Sequence, residues 1–520
     1  MRQGLRQLTL QDVLGGVITG ILLTLSVPRE NAWPLAWVGL VPLLWRAQDT
    51  SPARAFWIGW LAGVVFFGAT LHWLAGTMVR YGSLHAVASY AVLALLVGYL
   101  GVYFALFASG AAWFQKHWPR GCLLLVPALW TALEWLRTHA LTGFPWLLLG
   151  YSQHTVLPLI QVADFSGVYG VGFALVAVNT AGTALLTPRP QRGLVFPAVF
   201  AILVCGGVWG YGMWRLSDPA AAGPSLKVAL VQGNIDQSRK WDPLFRETVW
   251  ETYVRLTERA IREGSPDLVI WPETATPFYF GLDRQQTQRL LRAVRHWGVP
   301  LLFGSPTVAS PGVLHNSAYL VASTGEVRGR YDKMHLVPFG EYVPLQRLLP
   351  FVRRMVVAIG DFRAGRHPVL LEHERGRLGT VICFEIIFPD LVRRVVREGA
   401  QLMVTLTNDA WFGRTAAPYQ HFAMATLRAV ENRVYVVRVA NTGISGVIDP
   451  AGRILVSSGL FTEEVLQARV HLAPVRSGTF YTRYGDLFAW ICLAAVLGAA
   501  AWSTPLFPRR RKRHAVAGRR

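Results

Sequence analysis

Long apolar runs separated by short polar connections fill the first 215 residues, and another run lies near the C-terminus. Several runs approach the ~20 residues that a helix needs to cross a bilayer. Trp stands at many of their ends, as in the aromatic belts of membrane proteins. A buried soluble core could explain one such run, but not eight. We therefore predict spans at 14–27, 32–45, 56–76, 85–113, 121–135, 168–186, 194–214 and 487–502.

The middle of the chain has a different pattern, in which short apolar runs of strand length alternate with segments of helical spacing. This alternation is typical of layered α/β domains. We predict strands at 227–232, 268–271, 301–304, 317–322, 378–383, 402–407, 434–440 and 445–448, and helices at 243–263, 284–297, 391–398 and 419–432. The organisation is then a seven-span bundle at 1–215, an α/β domain at 216–485, an eighth span at 486–504 and a basic tail at 505–520.

Composition and charge support a membrane protein and orient it. Hydrophobic residues make up 52% of the chain and charged residues only 16%, against about a quarter charged in soluble proteins. The net charge is +21, and its distribution indicates an anionic membrane rather than nucleic acid. Loops on one side of the predicted bundle, with both termini, hold fifteen Lys and Arg, whereas the opposite loops hold three. The positive-inside rule then predicts cytoplasmic termini and an external α/β domain.

One of the four cysteines, Cys383, lies in the α/β domain. It ends the predicted strand at 378–383, and α/β folds place their sites at the carboxyl ends of strands. A buried structural cysteine is the simpler interpretation. A nucleophilic thiolate would require a proton acceptor and a cation nearby.

Candidates for both partners occur after other strands. Glu273 follows an apolar strand in WPETATPF, and Lys333 lies in the turn-rich segment RYDKMHLVPFGEYVP with Glu341. The chain contains 51 Lys and Arg, of which only five are Lys. A lysine in this loop therefore indicates a requirement for a compact point charge.

Glu273, Lys333 and Cys383, in that order in WPET, YDKMHLVPFGE and ICFE, resemble the Glu-Lys-Cys triad of the nitrilase superfamily. That resemblance implies a four-layer αββα sandwich. With the membrane spans and the motifs GFPWLLLGYSQ, VQGNIDQSRKW and TNDAWFG, the whole chain resembles the membrane-embedded apolipoprotein N-acyltransferases. Phe384 departs from the pattern, in which a Tyr commonly follows the nucleophile.

The resemblance implies a ping-pong acyl transfer in the bacterial inner membrane, with a periplasmic catalytic domain. The acyl donor is then a phospholipid, and the acceptor is the α-amine of the N-terminal S-diacylglyceryl-cysteine of an apolipoprotein. Glu273 becomes the general base, Cys383 the nucleophile and Lys333 the oxyanion donor. Glu341, Glu385 and Phe384 become supporting residues. We expect a monomer.

A thioester that waits for an amine has to be shielded from water. The segment 344–357 combines an apolar face with three arginines, which suits an amphipathic flap in the headgroup region. Ordinary core packing is the competing interpretation. The residues that we expect to face lipid are Leu345, Leu348, Phe351, Met355, Trp241 and Trp411.

Two other functions remain open at this point. A membrane-anchored C–N hydrolase of a small amide would use the same triad, although it needs neither eight spans nor a flap. A transporter with an outer binding domain could use the intramembrane carboxylates Glu134 and Asp164. The sequence has no Cys/His metal spacing and no phosphate-binding glycine motif. We therefore expect no metal and no cofactor.

Overall fold

The computed structural model describes residues 8–82, 84–187, 195–217, 223–238, 240–310, 312–342, 362–475 and 478–503. Helices dominate the part before residue 217. They are α1 (Leu10–Ser26), α2 (Val41–Gln48), α3 (Pro52–Leu71), α4 (Trp73–Tyr81), α5 (Ala86–His117), α6 (Cys122–His139), α7 (Leu157–Ile160), α8 (Ala163–Ser166), α9 (Val168–Leu186) and α10 (Val195–Ser217), with 3-10 turns at Trp33–Trp37 and Leu149–Gln153.

Four of these helices, α3, α5, α9 and α10, are long and apolar enough to cross a membrane, and α1 is a shorter apolar helix. Small residues let the helices approach closely, as in other membrane bundles. A Cβ added at Gly63 of α3 would lie 2.8 Å from the Cα of Gly101 in α5. The glycine is therefore required by the contact between these two helices.

Two predicted spans are not single helices. The run at 32–45 forms the 3-10 turn and then α2, and both of these begin with a proline in their first turn, Pro34 and Pro42. Proline lacks an N–H and favours the first turn, so each proline starts a new short helix. The run at 56–76 divides at His72 into α3 and α4.

Two six-stranded sheets form the next part of the chain. The first has the order β12-β1-β2-β3-β4-β5 and the second β11-β10-β9-β8-β7-β6. The strands are β1 (Ser225–Gln232), β2 (Leu268–Ile270), β3 (Leu301–Ser310), β4 (Val313–Val321), β5 (Val327–Asp332), β6 (Leu370–His373), β7 (Gly376–Ile382), β8 (Leu402–Thr407), β9 (Val436–Ala440), β10 (Gly446–Ile448), β11 (Ile454–Ser457) and β12 (Glu464–His471). The central pairs β1–β2–β3 and β7–β8–β9 are parallel.

Helices cover the outer faces of both sheets. These helices are α11 (Arg246–Gly264), α12 (Arg284–Trp297), α13 (Pro389–Arg397) and α14 (Ala417–Asn432). One apolar core lies between the sheets, and a second joins α11 and α12 to the first sheet. The predicted αββα layering is therefore confirmed. The strands β5, β6, β11 and β12 were not predicted, since most of their residues are only partly buried and give a weak apolar pattern.

The sandwich and the bundle share a third core, which contains residues of α13 and α14 together with residues of α3, α6 and α9. Two further helices follow β12, namely α15 (Phe480–Tyr484) and α16 (Leu487–Ser503), and α16 is the second of the shorter apolar helices. The helical N-terminal region is confirmed, and the eight crossings stay a prediction.

Candidate active site

Three segments of the sandwich bring the predicted triad residues together. Glu273 follows β2, Lys333 follows β5, and Cys383 begins a 3-10 turn directly after β7. All three side chains are buried, with exposed fractions of 6%, 1% and 7%. Strand ends from both sheets therefore converge on a single site.

The carboxylate of Glu273 is held on one side only. Its Oε1 accepts a hydrogen bond of 2.7 Å from Asn316 Nδ2 and lies 3.7 Å from Lys333 Nζ. Its Oε2 is buried and has no hydrogen-bond partner among the described residues. One oxygen is thus fixed while the other is available to a reacting group.

Glu341 is the second carboxylate that pairs with Lys333. Lys333 Nζ lies 2.9 Å from Glu341 Oε2, and Val337 N donates to the same oxygen at 2.8 Å. Burial acts against the ammonium, but the carboxylates of Glu341 and Glu273 outweigh it and raise the pKa of Lys333. The lysine is therefore a permanent cation within the site.

Cys383 has an unusual backbone, with φ of 54°, in the left-handed region that non-glycine residues rarely adopt. This conformation turns the chain sharply from β7 into the 3-10 turn Cys383–Ile387. Burial and the nearby Glu273 raise the pKa of the thiol to about 12, although Lys333 acts in the opposite direction. The sulfur is therefore a thiol at neutral pH, and it needs a base in order to react.

Glu385 connects the segments that carry Cys383 and Lys333. Its carboxylate accepts hydrogen bonds from the backbone of Ile382 at 2.7 Å and from Met334 and His335 at 2.7 and 2.9 Å. Tyr331 Oη donates to it at 2.8 Å. Burial raises the pKa of Glu385 to about 7 while these donors oppose that shift. The residues just before Cys383 and just after Lys333 are thus tied to one buried side chain.

Two polar residues near Glu273 have no predicted role in the sequence analysis. Asn316 of β4 donates from Nδ2 both to Glu273 Oε1 and to Glu341 Oε1. Lys240 is buried and donates from Nζ to the carbonyl of Glu273 at 3.1 Å and to Thr274 Oγ1 at 2.8 Å. The sequence contained a signal for each residue. Asn316 is an amide within a mostly apolar strand, and Lys240 is one of only five lysines in the chain.

The predicted supporting and lipid-facing residues are distributed around the site. Phe384 packs edge-on against Phe388, with ring centroids 5.2 Å apart. The ring centroids of Trp241 and Tyr279 are 6.1 Å apart, and those of Trp411 and Tyr81, which lies in the bundle, are 4.9 Å apart. The residues of the predicted flap, Leu345, Leu348, Phe351 and Met355, lie outside the described residues. Within the ranges that the structure describes, no group of three or more His, Cys, Asp or Glu could hold a metal ion.

Comparison with known proteins identifies the family. Residues 19–181 match the apolipoprotein N-acyltransferase N-terminal domain, and residues 227–479 match the carbon-nitrogen hydrolase family. The apolipoprotein N-acyltransferase of Geobacter metallireducens is 43% identical over 517 residues, covering 97% of each chain. The chain belongs to the apolipoprotein N-acyltransferase family.

A second relative matches over most of the chain, and a solved structure matches over about half of it. The apolipoprotein N-acyltransferase of Methylococcus capsulatus is 36% identical and covers 90% of this chain and 91% of its own. A crystal structure of Saccharomyces cerevisiae Nit3, a nitrilase superfamily member, is 20% identical, covers 56% of this chain and 98% of its own, and has a TM-score of 0.39. As a member of the apolipoprotein N-acyltransferase family, the chain is an acyltransferase with a helical membrane region and a carbon-nitrogen hydrolase domain.

Proposed function

We propose that this enzyme transfers a fatty acyl chain from a membrane phospholipid, through a thioester on Cys383, to the α-amine of a diacylglyceryl-cysteine at the N-terminus of an apolipoprotein. Membership of the apolipoprotein N-acyltransferase family supports this reaction. The observation that carries it is a buried thiol near a fixed ammonium and a carboxylate oxygen that has no hydrogen-bond partner among the described residues. That combination provides a nucleophile, a base and an oxyanion donor in one site.

In the first half-reaction, Glu273 accepts the thiol proton through Oε2, and the sulfur attacks the ester carbonyl of the donor. Lys333 stabilises the tetrahedral oxyanion, a contribution worth about 3–4 kcal/mol at similar sites. When the intermediate collapses, the C–O bond breaks and Glu273 returns the proton to the departing oxygen. The products are a lysophospholipid and an acyl thioester on Cys383.

In the second half-reaction, the neutral amine of the acceptor attacks the thioester carbonyl. Glu273 takes the ammonium proton that forms, and Lys333 again stabilises the oxyanion. Collapse breaks the C–S bond, and the proton returns to sulfur. The amide product and the free thiol complete a ping-pong cycle.

The roles of Glu341 and Asn316 follow from the charge of the site. Glu341 pairs with Lys333 at 2.9 Å, so that the ammonium stays at a fixed distance from the base. Asn316 bridges the two carboxylates with one NH₂ group and so keeps them apart. The lysine therefore stays charged and stationary through both half-reactions, as an oxyanion donor requires.

The arrangement of helix ends supports seven spans before the sandwich and one after it. Arg46 and Arg54 both pair with Asp12, at the start of α1, so the chain returns to that end between residues 27 and 46. Thr187 Oγ1, after α9, donates to Gln48 Oε1 at 2.9 Å. These segment ends therefore share one side, which we assign to the cytoplasm from its basic residues.

The remaining helix ends fit the same alternation. Trp118, after α5, donates to Ser503 at the end of α16, so these ends lie together. Tyr81, at the end of α4, instead donates to the carbonyl of Ala410 in the sandwich. We infer that the sandwich lies on the periplasmic side of the inner membrane, where the bundle holds its active site near the lipid headgroups.

Intact-mass spectrometry of the purified protein tests this function. We expect a fatty-acyl adduct on the wild type that hydroxylamine removes, and no adduct on Cys383→Ala. Cys205→Ala is the matched control, since it removes a thiol from α10, and it should retain the adduct. An adduct that persists on Cys383→Ala would show that the nucleophile is a different residue.

A second assay separates acyl transfer from hydrolysis of a small amide. We expect lysophospholipid to accumulate in proportion to added diacylglyceryl-cysteine peptide, with one N-acyl peptide formed for each lysophospholipid released. A C–N hydrolase with the same triad would instead release ammonia from a small amide without lipid. Ammonia release at a comparable rate would contradict the transferase assignment.

A further inference from the structure

A buried histidine, His421, contacts the backbone carbonyl of Cys383. His421 lies in α14 and is fully buried. Its Nε2 lies 3.1 Å from the carbonyl oxygen of Cys383. A carbonyl only accepts hydrogen bonds, so Nε2 must carry the proton and donate it. His421 therefore fixes the peptide that directly follows the reactive side chain.

The opposite edge of the ring is held by charged groups. His421 Nδ1 lies 3.1 Å from both Arg438 Nη2 and Asp409 Oδ1. Arg438 also donates to Asp409 Oδ2 at 2.6 Å, and Thr407 donates to Asp409 Oδ1 at 3.1 Å. Burial and the adjacent Arg438 lower the pKa of His421. Asp409 acts in the opposite direction on this pKa. The lowered pKa favours the neutral ring, in which Nδ1 accepts from Arg438 and Nε2 donates to the carbonyl of Cys383.

The membrane bundle supplies the surface against which this ring rests. Trp146, in the loop after α6, packs on His421 with ring centroids 5.5 Å apart and planes inclined by 31°. Its Nε1 donates to Gln420 at 2.8 Å, and Gln420 in turn donates to the carbonyl of Thr70 in α3. The orientation of His421 therefore depends on contacts from both the sandwich and the bundle.

The backbone of Cys383 has a strained, left-handed conformation, which the surrounding structure has to hold in place. The hydrogen bond from His421 to the Cys383 carbonyl is one such restraint. A change of this backbone toward an ordinary conformation would alter the direction in which the side chain of Cys383 leaves the chain, and Sγ would move with it. A hydrogen bond to the carbonyl opposes that change without touching the sulfur. The hydrogen bond therefore affects the direction in which the thiol points and does not directly change its nucleophilicity.

We propose that His421 is a positioning residue that holds the Cys383 carbonyl and thereby aligns the thiol with Glu273 and the acyl donor. This inference rests on the proposed function, since it assigns to Cys383 the role of nucleophile. The hydrogen bond that joins His421 to Cys383 goes to the backbone carbonyl, so we assign to His421 an action through that backbone. The donor at Nε2 is the feature that the reaction requires.

Three substitutions separate the donor from the shape of the ring. His421→Gln places an amide N–H near the position of Nε2, whereas His421→Asn carries the same group on a shorter side chain that does not reach the carbonyl. His421→Phe keeps the ring against Trp146 and has no donor. We expect single-turnover acylation of Cys383 to slow about tenfold to a hundredfold in the Asn and Phe variants and to stay within about threefold of wild type in the Gln variant.

The KM for phospholipid should stay unchanged in all three variants, because a positioning residue changes the chemical step and not lipid binding. The Asn and Gln variants are matched in polarity, so they still decide the question if the Phe variant does not fold. Equal rates in the Gln and Asn variants, whether fast or slow, would overturn the proposal.

Alkylation of Cys383 by iodoacetamide gives a second readout that does not depend on acyl transfer. We expect the alkylation rate to follow the same order, with wild type and Gln fast and Asn and Phe slow. A wild type without any acyl adduct would contradict the proposed function, and the alkylation order would still decide the role of His421. Equal alkylation in all four proteins would overturn that role.

Discussion

At the scale of single residues, the site depends on which hydrogen-bond and ion-pair partners each polar atom has. Glu273 has one oxygen fixed by Asn316 and another that is free among the described residues. Lys333 pairs with two carboxylates, those of Glu273 and Glu341. Cys383 is buried near Glu273 and Lys333, and its thiol has a raised pKa. These environments separate the roles of base, cation and nucleophile, which side-chain types alone would leave ambiguous.

Asn316→Asp should slow acylation of Cys383 about a hundredfold. The substitution puts a third carboxylate where an NH₂ group now bridges Glu273 and Glu341, and like charges in one site favour protonation of the base. Asn316→Leu, which removes the bridge without adding charge, should slow acylation less. Single-turnover mass spectrometry measures both variants. An Asp variant as fast as wild type would contradict the bridging role.

The raised pKa of Cys383 predicts its reactivity toward alkylating agents. Because the folded pKa is about 12, the thiolate fraction should keep rising as the pH increases through 10. The rate of iodoacetamide alkylation should therefore increase without a plateau near the pH of about 8.5 at which an exposed thiol titrates. A plateau below pH 9 in wild type would exclude a buried, protonated thiol.

At the scale of elements, the site is held together by side chains that join separate strands. The carboxylate of Glu385 accepts hydrogen bonds from the backbone just before Cys383 and from the residues that follow Lys333. It thereby links β5 of the first sheet to β7 of the second. Without this connection, the two sheets would carry the reacting groups without fixing the distance between them.

Glu385→Gln should destabilise the fold by about 2–4 kcal/mol. Each oxygen of this carboxylate accepts from at least one backbone N–H, so an amide NH₂ in place of either oxygen would face a donor and leave that N–H without an acceptor. Thermal unfolding measures the loss. The matched control is Glu374→Gln in the exposed hairpin between β6 and β7, where we expect a change within about 0.5 kcal/mol. Similar melting temperatures for the two variants would contradict the central role of Glu385.

Helix α14 shows how one element serves two parts of the molecule. Nearly all of its residues are buried, because one side packs on the second sheet and the other on the bundle. The sequence predicted a helix at 419–432. It did not indicate that this helix carries His421 toward Cys383, because a helix that is buried on all sides has no single apolar face that identifies its partner.

At the scale of the whole molecule, the bundle and the sandwich form one structure around the site. Tyr81 and Thr77 of α4 donate to the carbonyls of Ala410 and Trp411. Asp164, beside the bundle, pairs with Arg433 of the sandwich. The membrane region therefore holds the catalytic domain in place as well as anchoring it.

Cysteine labelling tests the proposed orientation. A cysteine introduced at the exposed Gln288 of α12 should react with a membrane-impermeant maleimide in intact spheroplasts. One introduced at the exposed Arg120, between α5 and α6, should react only after the inner membrane is permeabilised. Both should react in detergent, which serves as the control. The opposite pattern would place the active site in the cytoplasm.

The sequence by itself determined the class of protein, the order of its elements and the family. These features depend on local patterns. Hydrophobic runs mark membrane helices, alternating segments mark an α/β sandwich, and three short motifs carry Glu273, Lys333 and Cys383. The predicted span at 32–45 forms two short helical segments, and Pro34 and Pro42 are the residues that start them. Both prolines are visible in the sequence, but a prediction based on the length of the apolar run did not use them.

Only the tertiary structure decided which polar groups surround those three residues. Asn316, Lys240 and His421 come from segments far apart in the chain, and each meets the site through a side chain whose direction depends on packing between layers. Local patterns predict a buried strand or helix, but they do not predict which buried polar atoms form hydrogen bonds with one another. Those contacts form only when the sheets, helices and bundle pack together, because each hydrogen bond joins elements that have no local reason to be neighbours.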